Sequence, residues 1–158
     1  MALSAGLLLY RVRDGAPEVL LGHMGGPFWA RKDAGAWTIP KGEPDAGEDL
    51  HATAVREFTE ELGAPPPDAQ VPDLDLGEVR QRAGKVVRVW ARAGDLDLDA
   101  ERAGSNTVEV EWPPRSGRRL EFPELDRVGW FDLDRARGLV VSAQAELLDR
   151  LDAALRAG

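Results

Sequence analysis

The stretch GEPDAGEDLHATAVREFTEELGA, residues 42–64, contains the clearest helix pattern in the chain. Its apolar side chains recur at the i, i+3 and i+7 spacing of one helix side, at Val55, Phe58 and Leu62. Gly63 follows where a C-terminal cap is expected, and three prolines at 65–67 prevent the helix from continuing. We therefore predict a helix over residues 49–62.

The same helix has a second, acidic side. Three glutamates stand at i, i+3 and i+4 and converge there: Glu57, Glu60 and Glu61. Like charges at this spacing destabilise a helix by roughly a few tenths of a kcal/mol each, which a bound cation would offset. Carboxylate oxygens without cysteine or a nearby histidine favour Mg²⁺ or Mn²⁺ over zinc. The cluster is thus either a divalent-metal site or a solvated charged face.

The composition predicts a single globular domain over residues 1–158. The net charge of −8 is opposite in sign to the broad basic surface of a nucleic-acid binder, and the lack of cysteine excludes disulfides and thiolate metal sites. No apolar run approaches the roughly 20 residues of a membrane helix. Residues 1–10 carry no basic leader, so we expect a strand there rather than a signal peptide, and a cytoplasmic location. The oligomeric state is left open.

Short strands and turns surround the predicted helix. The predicted strands are 4–12, 18–23, 37–39, 76–82, 85–92, 108–112 and 128–131. The predicted loops are Gly-rich 24–36, acidic 94–107 and basic 113–119. A second amphipathic helix is expected over residues 142–156, with Ser142 as its N-cap. This succession of elements indicates a mixed sheet covered by helices.

Residues 42–64 resemble the Nudix box, G-x5-E-x7-R-E-U-x-E-E-x-G-U, in which U is a bulky apolar residue. All seven fixed positions match, at Gly42, Glu48, Arg56, Glu57, Glu60, Glu61 and Gly63. Phe58 fills the first apolar position, whereas Ala64 in the second is smaller than usual, which we expect to weaken packing at the helix exit. The resemblance implies an α/β protein, a Nudix-like αβα sandwich with a mixed β-sheet.

The resemblance also implies a hydrolase for a nucleoside diphosphate linked to another group. Divalent ions neutralise adjacent phosphate charges and acidify an attacking water. In the family, the box glutamates hold these ions, and the corresponding glutamates of this sequence are Glu57, Glu60 and Glu61. Glu57 or Glu60 is expected to accept the proton from the water, and Arg56 to orient a box glutamate. Glu48 is expected to complete the site or to fix the loop–helix junction, and Gly42 to allow close backbone approach.

The segment before the box, WTIPKG at 37–42, is similar to the lead-in of asymmetrical dinucleoside tetraphosphate hydrolases and of diphosphoinositol polyphosphate hydrolases. It implies that Lys41 binds a phosphate as a point charge; an ordinary loop lysine is the alternative. The tyrosine that dinucleoside tetraphosphate hydrolases often carry past the box is absent, and Arg-Gln-Arg at 80–82 occupies that region.

A second acidic position lies outside the box. Glu124, six residues before Trp130, resembles the extra metal-binding glutamate of related hydrolases. Glu109 and Glu111 compete for that role, and an exposed loop acid is the plain alternative. The candidate catalytic residues are therefore Glu57, Glu60 and Arg56. The candidate substrate-binding residues are Lys41 and Gly42. The candidate metal ligands for Mg²⁺ or Mn²⁺ are Glu57, Glu60, Glu61 and Glu124.

The expected partner is a small nucleotide-type molecule, with a dinucleoside polyphosphate as the first substrate hypothesis. A nucleoside triphosphate or another nucleoside diphosphate derivative is the alternative substrate. A non-catalytic nucleotide-sensing domain and a purely structural acidic domain are alternative functions. The aromatic candidates for stacking a base are Phe28, Trp29, Trp37 and Phe122. The basic candidates for contacting distal phosphates are Arg115, Arg118 and Arg119. The alternative is that these arginines simply belong to a solvated loop.

Overall fold

The computed structural model describes residues 2–97 and 107–158, which form nine strands and three α-helices. The strands are β1 (Leu3–Arg13), β2 (Ala16–Met24), β3 (Trp37–Thr38), β4 (Lys41–Gly42), β5 (Leu74–Arg80), β6 (Val86–Ala93), β7 (Thr107–Glu111), β8 (Arg119–Pro123) and β9 (Leu125–Asp132). The helices are α1 (Leu50–Leu62), α2 (Leu133–Leu139) and α3 (Ala145–Ala157). Short 3-10 turns span Arg82–Gly84 and Ser142–Gln144.

Seven of the strands form a mixed sheet. Its path is β3-β2-β1-β6-β5, with β4 pairing with β1 and β9 with β2. β1 and β6 run parallel, from Leu3 beside Val86 to Tyr10 beside Ala93, whereas the other neighbours are antiparallel. β7 and β8 form a separate two-stranded sheet, which we call the β7–β8 hairpin.

Helices cover both faces of the main sheet, because its central strand β1 is apolar on both sides. Leu7 and Leu9 belong to one core, and Leu8 and Tyr10 to the other. The first core is closed by α1, through Ala54, Phe58 and Leu62. The second core is closed by α3, through Leu147, Leu148 and Leu151. The predicted αβα sandwich with a mixed sheet is confirmed.

The helix 49–62 is confirmed to within one residue. Asp49 is its N-cap, and the side chain of Asp49 accepts a hydrogen bond from the N–H of Ala52. Gly63 ends the helix in the left-handed region, with φ of 75°, and its N–H donates to the carbonyl of Thr59. A side chain at this φ would be strained, which explains why glycine stands here.

The prediction that Ser142 caps the last helix is wrong. Residues 142–144 form a 3-10 turn, and α3 begins at Ala145. Gln144 is fully buried, accepts a hydrogen bond from the N–H of Ile39 and donates to the hydroxyl of Thr38. The turn therefore serves to join α3 to the segment that leads into the box.

Three elements were not predicted from the sequence: β4, β8 and the short helix α2. The predicted basic loop 113–119 ends one residue early, because Arg119 begins β8. Residues 98–106 of the predicted acidic loop lie outside the described residues. None of the helices in the described ranges is both long and apolar enough to cross a membrane.

Candidate active site

A polar cavity of about 380 Å³ lies where α1 faces β4 and the junction between β8 and β9. Its lining contains predicted site residues from three separate parts of the chain: Lys41, Gly42, Glu57, Glu61 and Glu124. Ser4, Glu43 and Lys85 complete the lining. The fold thus brings the box helix, its lead-in and the distant Glu124 to one place.

Glu61 is the most deeply buried acid of this cavity, with 6% of its surface exposed. The backbone N–H of Lys41 donates a hydrogen bond to Oε2 of Glu61 at 3.2 Å. Burial and, to a lesser extent, the nearby charge of Glu124 raise the pKa of Glu61 to about 8. A divalent cation favours the charged carboxylate and would reverse this shift.

Glu57 lies against the backbone of β4. A Cβ built on Gly42 would stand 2.0 Å from the carboxyl carbon of Glu57, so the cavity has room for Glu57 only because residue 42 is glycine. Burial raises the pKa of Glu57, as does the charge of Glu60, while Arg56 opposes both effects. Of the two roles predicted for Gly42, close backbone approach or a tight turn, the contact with Glu57 is the one that the structure describes at this position.

Arg56 holds the acidic side of α1 together. Its guanidinium donates to Glu48 through Nε and Nη2, both at 2.9 Å, and its Nη1 lies 3.0 Å from carboxylate oxygens of both Glu57 and Glu60. It also donates to the carbonyl of Glu43 at 3.1 Å. These partners raise the pKa of Arg56 and keep the acidic residues in a fixed arrangement.

Glu48 fixes the junction between the box loop and α1. One of its oxygens accepts hydrogen bonds from the hydroxyl of Thr53 at 2.7 Å and from the N–H of Asp45 at 3.1 Å. Its bonds to Arg56, together with these two, lower the pKa of Glu48 to about 2. Of the two roles expected for Glu48, this geometry favours the junction.

The donor set of the cavity fits a hard divalent cation. Glu57, Glu61 and Glu124 supply carboxylate oxygens, and the charge of Glu124 disfavours the ionised forms of Glu57 and Glu61. In the described ranges, no three acidic or histidine side chains already surround a common point. Arg56 forms ion pairs with Glu57 and Glu60 and holds these two carboxylates beside each other.

Position distinguishes the three candidates for the extra acidic ligand. All three side chains are exposed, but Glu124 lines the polar cavity, whereas Glu109 and Glu111 lie on the β7–β8 hairpin outside its lining. Glu109 pairs with Arg119, and a carboxylate oxygen of Glu111 accepts a hydrogen bond from the N–H of Arg115. The guanidinium of Arg119 is thus engaged with an acid of the same hairpin, whereas Arg115 contributes only its backbone N–H.

A second, apolar cavity of about 370 Å³ adjoins the polar one, and Glu124 lines both. Its aromatic lining consists of Phe28, Trp29, Trp112 and Phe122. Trp37, proposed from the sequence as a stacking residue, is instead a core residue with its ring against His23 and Phe131.

Sequence reasoning missed Ser4, Lys85 and Trp112. Ser4 and Lys85 reach the polar cavity because β1 and β6 pair in parallel, which places Leu3 beside Val86. That pairing is between distant segments and leaves no local pattern. Trp112 was predicted to end the strand 108–112, whereas β7 ends at Glu111, and its position in an aromatic cavity depends on how the hairpin folds over the sheet.

Solved structures share this fold. The structure of the Ap4A hydrolase of Caenorhabditis elegans in a binary complex is 23% identical to this chain. The alignment covers 100% of both chains and has a TM-score of 0.66. The NUDIX domain of Shewanella oneidensis NrtR, complexed with ADP ribose, is 16% identical over 98% of this chain and 88% of that one, with a TM-score of 0.64.

Sequence comparison identifies the family. A provisionally named 8-oxo-dGTP diphosphatase 3 of Mycobacterium tuberculosis is 46% identical over 61 residues, which are 38% of this chain and 27% of that protein. The match thus spans about a quarter of the length of this curated relative. The family model of the NUDIX domain matches residues 2–151, nearly the whole chain. Three of the fixed box residues, Gly42, Glu57 and Glu61, line one cavity of an αβα sandwich, and the chain belongs to the NUDIX domain family.

Proposed function

We propose that this protein is a metal-dependent pyrophosphohydrolase that cleaves a phosphoanhydride bond in a nucleotide-type substrate. The observation that carries this proposal is the burial of Glu57 and Glu61 beside Glu124 in one polar cavity. Burying like charges together is unfavourable unless a cation neutralises them. A purely structural acidic face would lie in solvent, where such repulsion is small.

The proposed ligands of Mg²⁺ or Mn²⁺ are Glu57, Glu60, Glu61 and Glu124. A bound divalent ion neutralises phosphate charge and acidifies a water. Arg56 orients Glu57 and Glu60 by donating to both carboxylates. Glu57 or Glu60 is the proposed base that accepts the proton from this water.

The proposed phosphate-binding residues are Lys41 and Gly42 on β4. Burial lowers the pKa of Lys41, and the acids Glu61, Glu124 and Glu57 act against this effect. A phosphate would likewise favour the charged ammonium, which binds phosphate as a point charge. Glycine at position 42 allows the backbone of β4 and the carboxylate of Glu57 to lie in contact in this cavity.

The first substrate hypothesis is a dinucleoside polyphosphate, supported by the lead-in residues 37–42. The alternative, a nucleoside triphosphate, is supported by the segment of 61 residues that is 46% identical to the provisionally named 8-oxo-dGTP diphosphatase. Both substrates present a pyrophosphate bond to the same acidic cavity. They differ in the length of the phosphate chain and in the number of bases.

The decisive experiment incubates the full chain with diadenosine tetraphosphate and Mg²⁺ and separates the products by chromatography. We expect ATP and AMP, because attack falls on the phosphate of a terminal nucleotide. Two equal diphosphates, or faster cleavage of a nucleoside triphosphate run in parallel, would overturn the first substrate hypothesis. Hydrolysis that persists in chelator, or nucleotide binding without turnover, would overturn the proposed chemistry and favour another mechanism or a nucleotide sensor.

Two variants link this turnover to the cavity. Glu61→Gln keeps the shape of the side chain but removes its charge, so turnover should fall by orders of magnitude. Glu146→Gln removes an exposed acid on α3 and should leave turnover near that of the unaltered chain. Equal turnover in both variants would show that the acidic cavity is not the site of the reaction.

A further inference from the structure

Gln144 is a fully buried polar side chain to which the proposed chemistry gives no role. Its Oε1 accepts a hydrogen bond from the N–H of Ile39, and its Nε2 donates to the hydroxyl of Thr38 and to Oε1 of Gln81, each at 2.9 Å. The hydroxyl of Thr38 in turn donates to the carbonyl of Ile39 at 2.9 Å. The amide therefore uses its oxygen and both of its N–H groups, a combination that a carboxylate or an apolar side chain cannot supply.

The N–H of Ile39 needs a side-chain partner because strand pairing changes at this point. β3 pairs with β2 at Thr38, whereas β4 pairs with β1 at Lys41. Ile39 lies between these two strands and is fully buried. A buried N–H without a partner is unfavourable, and Gln144 supplies the partner. Gln144 thus completes the hydrogen bonding of the segment that leads to Lys41.

The position of Ile39 determines where Lys41 lies, because Pro40 alone separates them. The carbonyl of Pro40 accepts a hydrogen bond from the N–H of Leu7 at 3.2 Å, and the N–H of Lys41 donates to Glu61. The connection between Ile39 and Lys41 is therefore short and is held at both ends. A displacement of Ile39 is passed on to Lys41, the proposed phosphate-binding residue.

The third hydrogen bond of Gln144 reaches the turn between β5 and β6. Gln81 closes this turn, because its N–H donates to the carbonyl of Lys85 at 2.6 Å and its carbonyl accepts from the N–H of Gly84 at 3.2 Å. Lys85 lines the polar cavity together with Lys41. Burial lowers the pKa of Lys41, and the nearby charge of Lys85 lowers it as well. One amide thus joins the two segments that bring lysines to this cavity.

Gln144 is itself held by the segment that precedes α3. Its N–H donates to the carbonyl of Val141 at 2.8 Å, and the N–H of Val141 donates to the carbonyl of Trp37 at 2.9 Å. α3 begins at the next residue and packs into the core through Leu147 and Leu148. The amide therefore extends from a supported part of the fold, as the geometry of a binding site requires of the residues behind it.

We propose that Gln144 is a positioning residue for phosphate binding, which holds Lys41 and the turn that bears Lys85 in a fixed arrangement at the polar cavity. The proposal rests on the proposed function, since it assumes that the phosphates of the substrate bind at Lys41. Gln144 is fully buried, so it acts through these two segments and not by touching the substrate. Its loss should therefore weaken phosphate binding more than it slows the chemical step.

Gln144→Met tests this role, because methionine has a similar length but no amide. Inorganic pyrophosphate is titrated into the full chain with Mg²⁺ in a calorimeter, at a temperature at which circular dichroism shows the variant to be folded. We expect the Kd of pyrophosphate to rise by about tenfold or more, because a contact to a charged group is displaced. KM for diadenosine tetraphosphate should rise in parallel, while kcat should change by less than about threefold.

Gln81→Leu is a milder second variant. It removes the side-chain hydrogen bond to Gln144 and keeps the backbone N–H that donates to Lys85. Gln81 is only half-buried, so this variant tests the proposal even where Gln144→Met does not fold. We expect the Kd of pyrophosphate to rise by about three- to tenfold, as for the loss of one hydrogen bond.

The control for a general loss of stability is Leu155→Ala on α3. Leu155 is half-buried and packs against the core, so its truncation should lower the urea midpoint without changing the Kd of pyrophosphate. An unchanged Kd and KM in folded Gln144→Met would overturn the positioning role, as would an unchanged Kd in Gln81→Leu. A rise of equal size in Leu155→Ala would also overturn it, because lost stability alone would then explain the effect.

The outcomes separate this proposal from the proposed function. If both glutamine variants weaken pyrophosphate binding but no phosphoanhydride is cleaved by the unaltered chain, the positioning role stands and the hydrolase proposal fails. If turnover occurs and both variants keep the Kd and KM of the unaltered chain, the hydrolase proposal stands and the positioning role fails.

Discussion

Gly42 and Glu57 are in contact, and the space between them is too small for a methyl group. A Cβ at position 42 would overlap the carboxylate of Glu57, with 2.0 Å to its carbon and 2.2 Å to its Oε1. The carboxylate is the flexible end of its side chain, so Gly42→Ala should move Glu57 without preventing folding. We expect kcat to fall by about 10- to 100-fold, as when ligand positioning is disturbed.

The control for this change is Gly138→Ala in α2. No atom lies within 4 Å of a Cβ built there, and the residue does not have a positive φ. Turnover should be unchanged, and stability should rise by about 0.5–1 kcal/mol from the better helix propensity of alanine. A loss of activity in Gly42→Ala accompanied by unfolding, seen by circular dichroism, would contradict the positional explanation.

Arg56→Lys tests the hydrogen bonds and ion pairs by which Arg56 holds the acidic residues of α1. Lysine keeps the charge but cannot donate to Glu48, Glu57 and Glu60 in the planar geometry of a guanidinium. We expect the Mg²⁺ concentration for half-maximal turnover to rise by about 10- to 100-fold. Arg137→Lys, whose arginine pairs with Asp149 away from the cavity, should not change it.

Lys41→Ala tests the phosphate contact. The substituted chain keeps the proposed metal ligands, so some turnover should survive, while KM for diadenosine tetraphosphate should rise. The backbone N–H that bonds Glu61 is retained, so the buried acid keeps its hydrogen bond. An unchanged KM would show that Lys41 is an ordinary loop lysine.

Glu61 predicts how stability depends on pH when chelator is present. Its folded pKa is about 8, above the ordinary value of 4.5, so the folded state binds more protons than the unfolded state between these values. Stability should therefore fall as pH rises from about 4.5 to about 8. Glu61→Gln mimics the protonated form and should remove much of this loss, about 1.4 kcal/mol for each pKa unit.

Urea denaturation at pH 5 and pH 9, with chelator, measures this effect. The two proteins should be similar near pH 5, and Glu61→Gln should be the more stable at pH 9. Mg²⁺ should then stabilise the unaltered chain more than the variant, because the variant lacks one charged ligand. Greater stability of the unaltered chain at pH 9 in chelator would contradict the burial argument.

The low folded pKa of Glu48 predicts the opposite dependence of stability on pH. Its folded pKa of about 2 lies below the ordinary 4.5, so its stabilising effect is present above pH 4.5 and is lost as pH falls toward 2. Glu48→Gln should lower stability at neutral pH, and the difference from the unaltered chain should shrink in acid. Denaturant midpoints measured from pH 7 to pH 2 would show this convergence, and a constant difference would contradict it.

The local elements could be predicted because their signals are local. The spacing of Phe58 and Leu62 and the glycine at position 63 predict both the buried side and the end of α1. The hairpin of β5 and β6 likewise follows from alternating residues around a short turn. α2 was missed because it has only seven residues and includes Gly138, a poor helix former.

The site was only partly predictable, because it depends on contacts between distant segments. The convergence of Glu57, Glu60 and Glu61 on one helix side follows from spacing alone. The unequal burial of these glutamates does not follow from spacing. Glu61 lies against β4, whereas the side chain of Glu60 is 40% exposed and bonded to Arg56. Trp37, a stacking candidate, lies in the core, and Trp112, for which no role was predicted, lines the apolar cavity, since burial is set by the tertiary fold.

The β7–β8 hairpin is a sheet of its own, and it contributes an aromatic wall but none of the box glutamates. Changes in the hairpin can therefore accumulate without disturbing α1 or its acids. Relatives that keep the same box can diverge in the substrates that they accept through changes confined to this hairpin. A compound designed against Trp112 and Phe122 would, by the same reasoning, distinguish this protein from relatives that share its box.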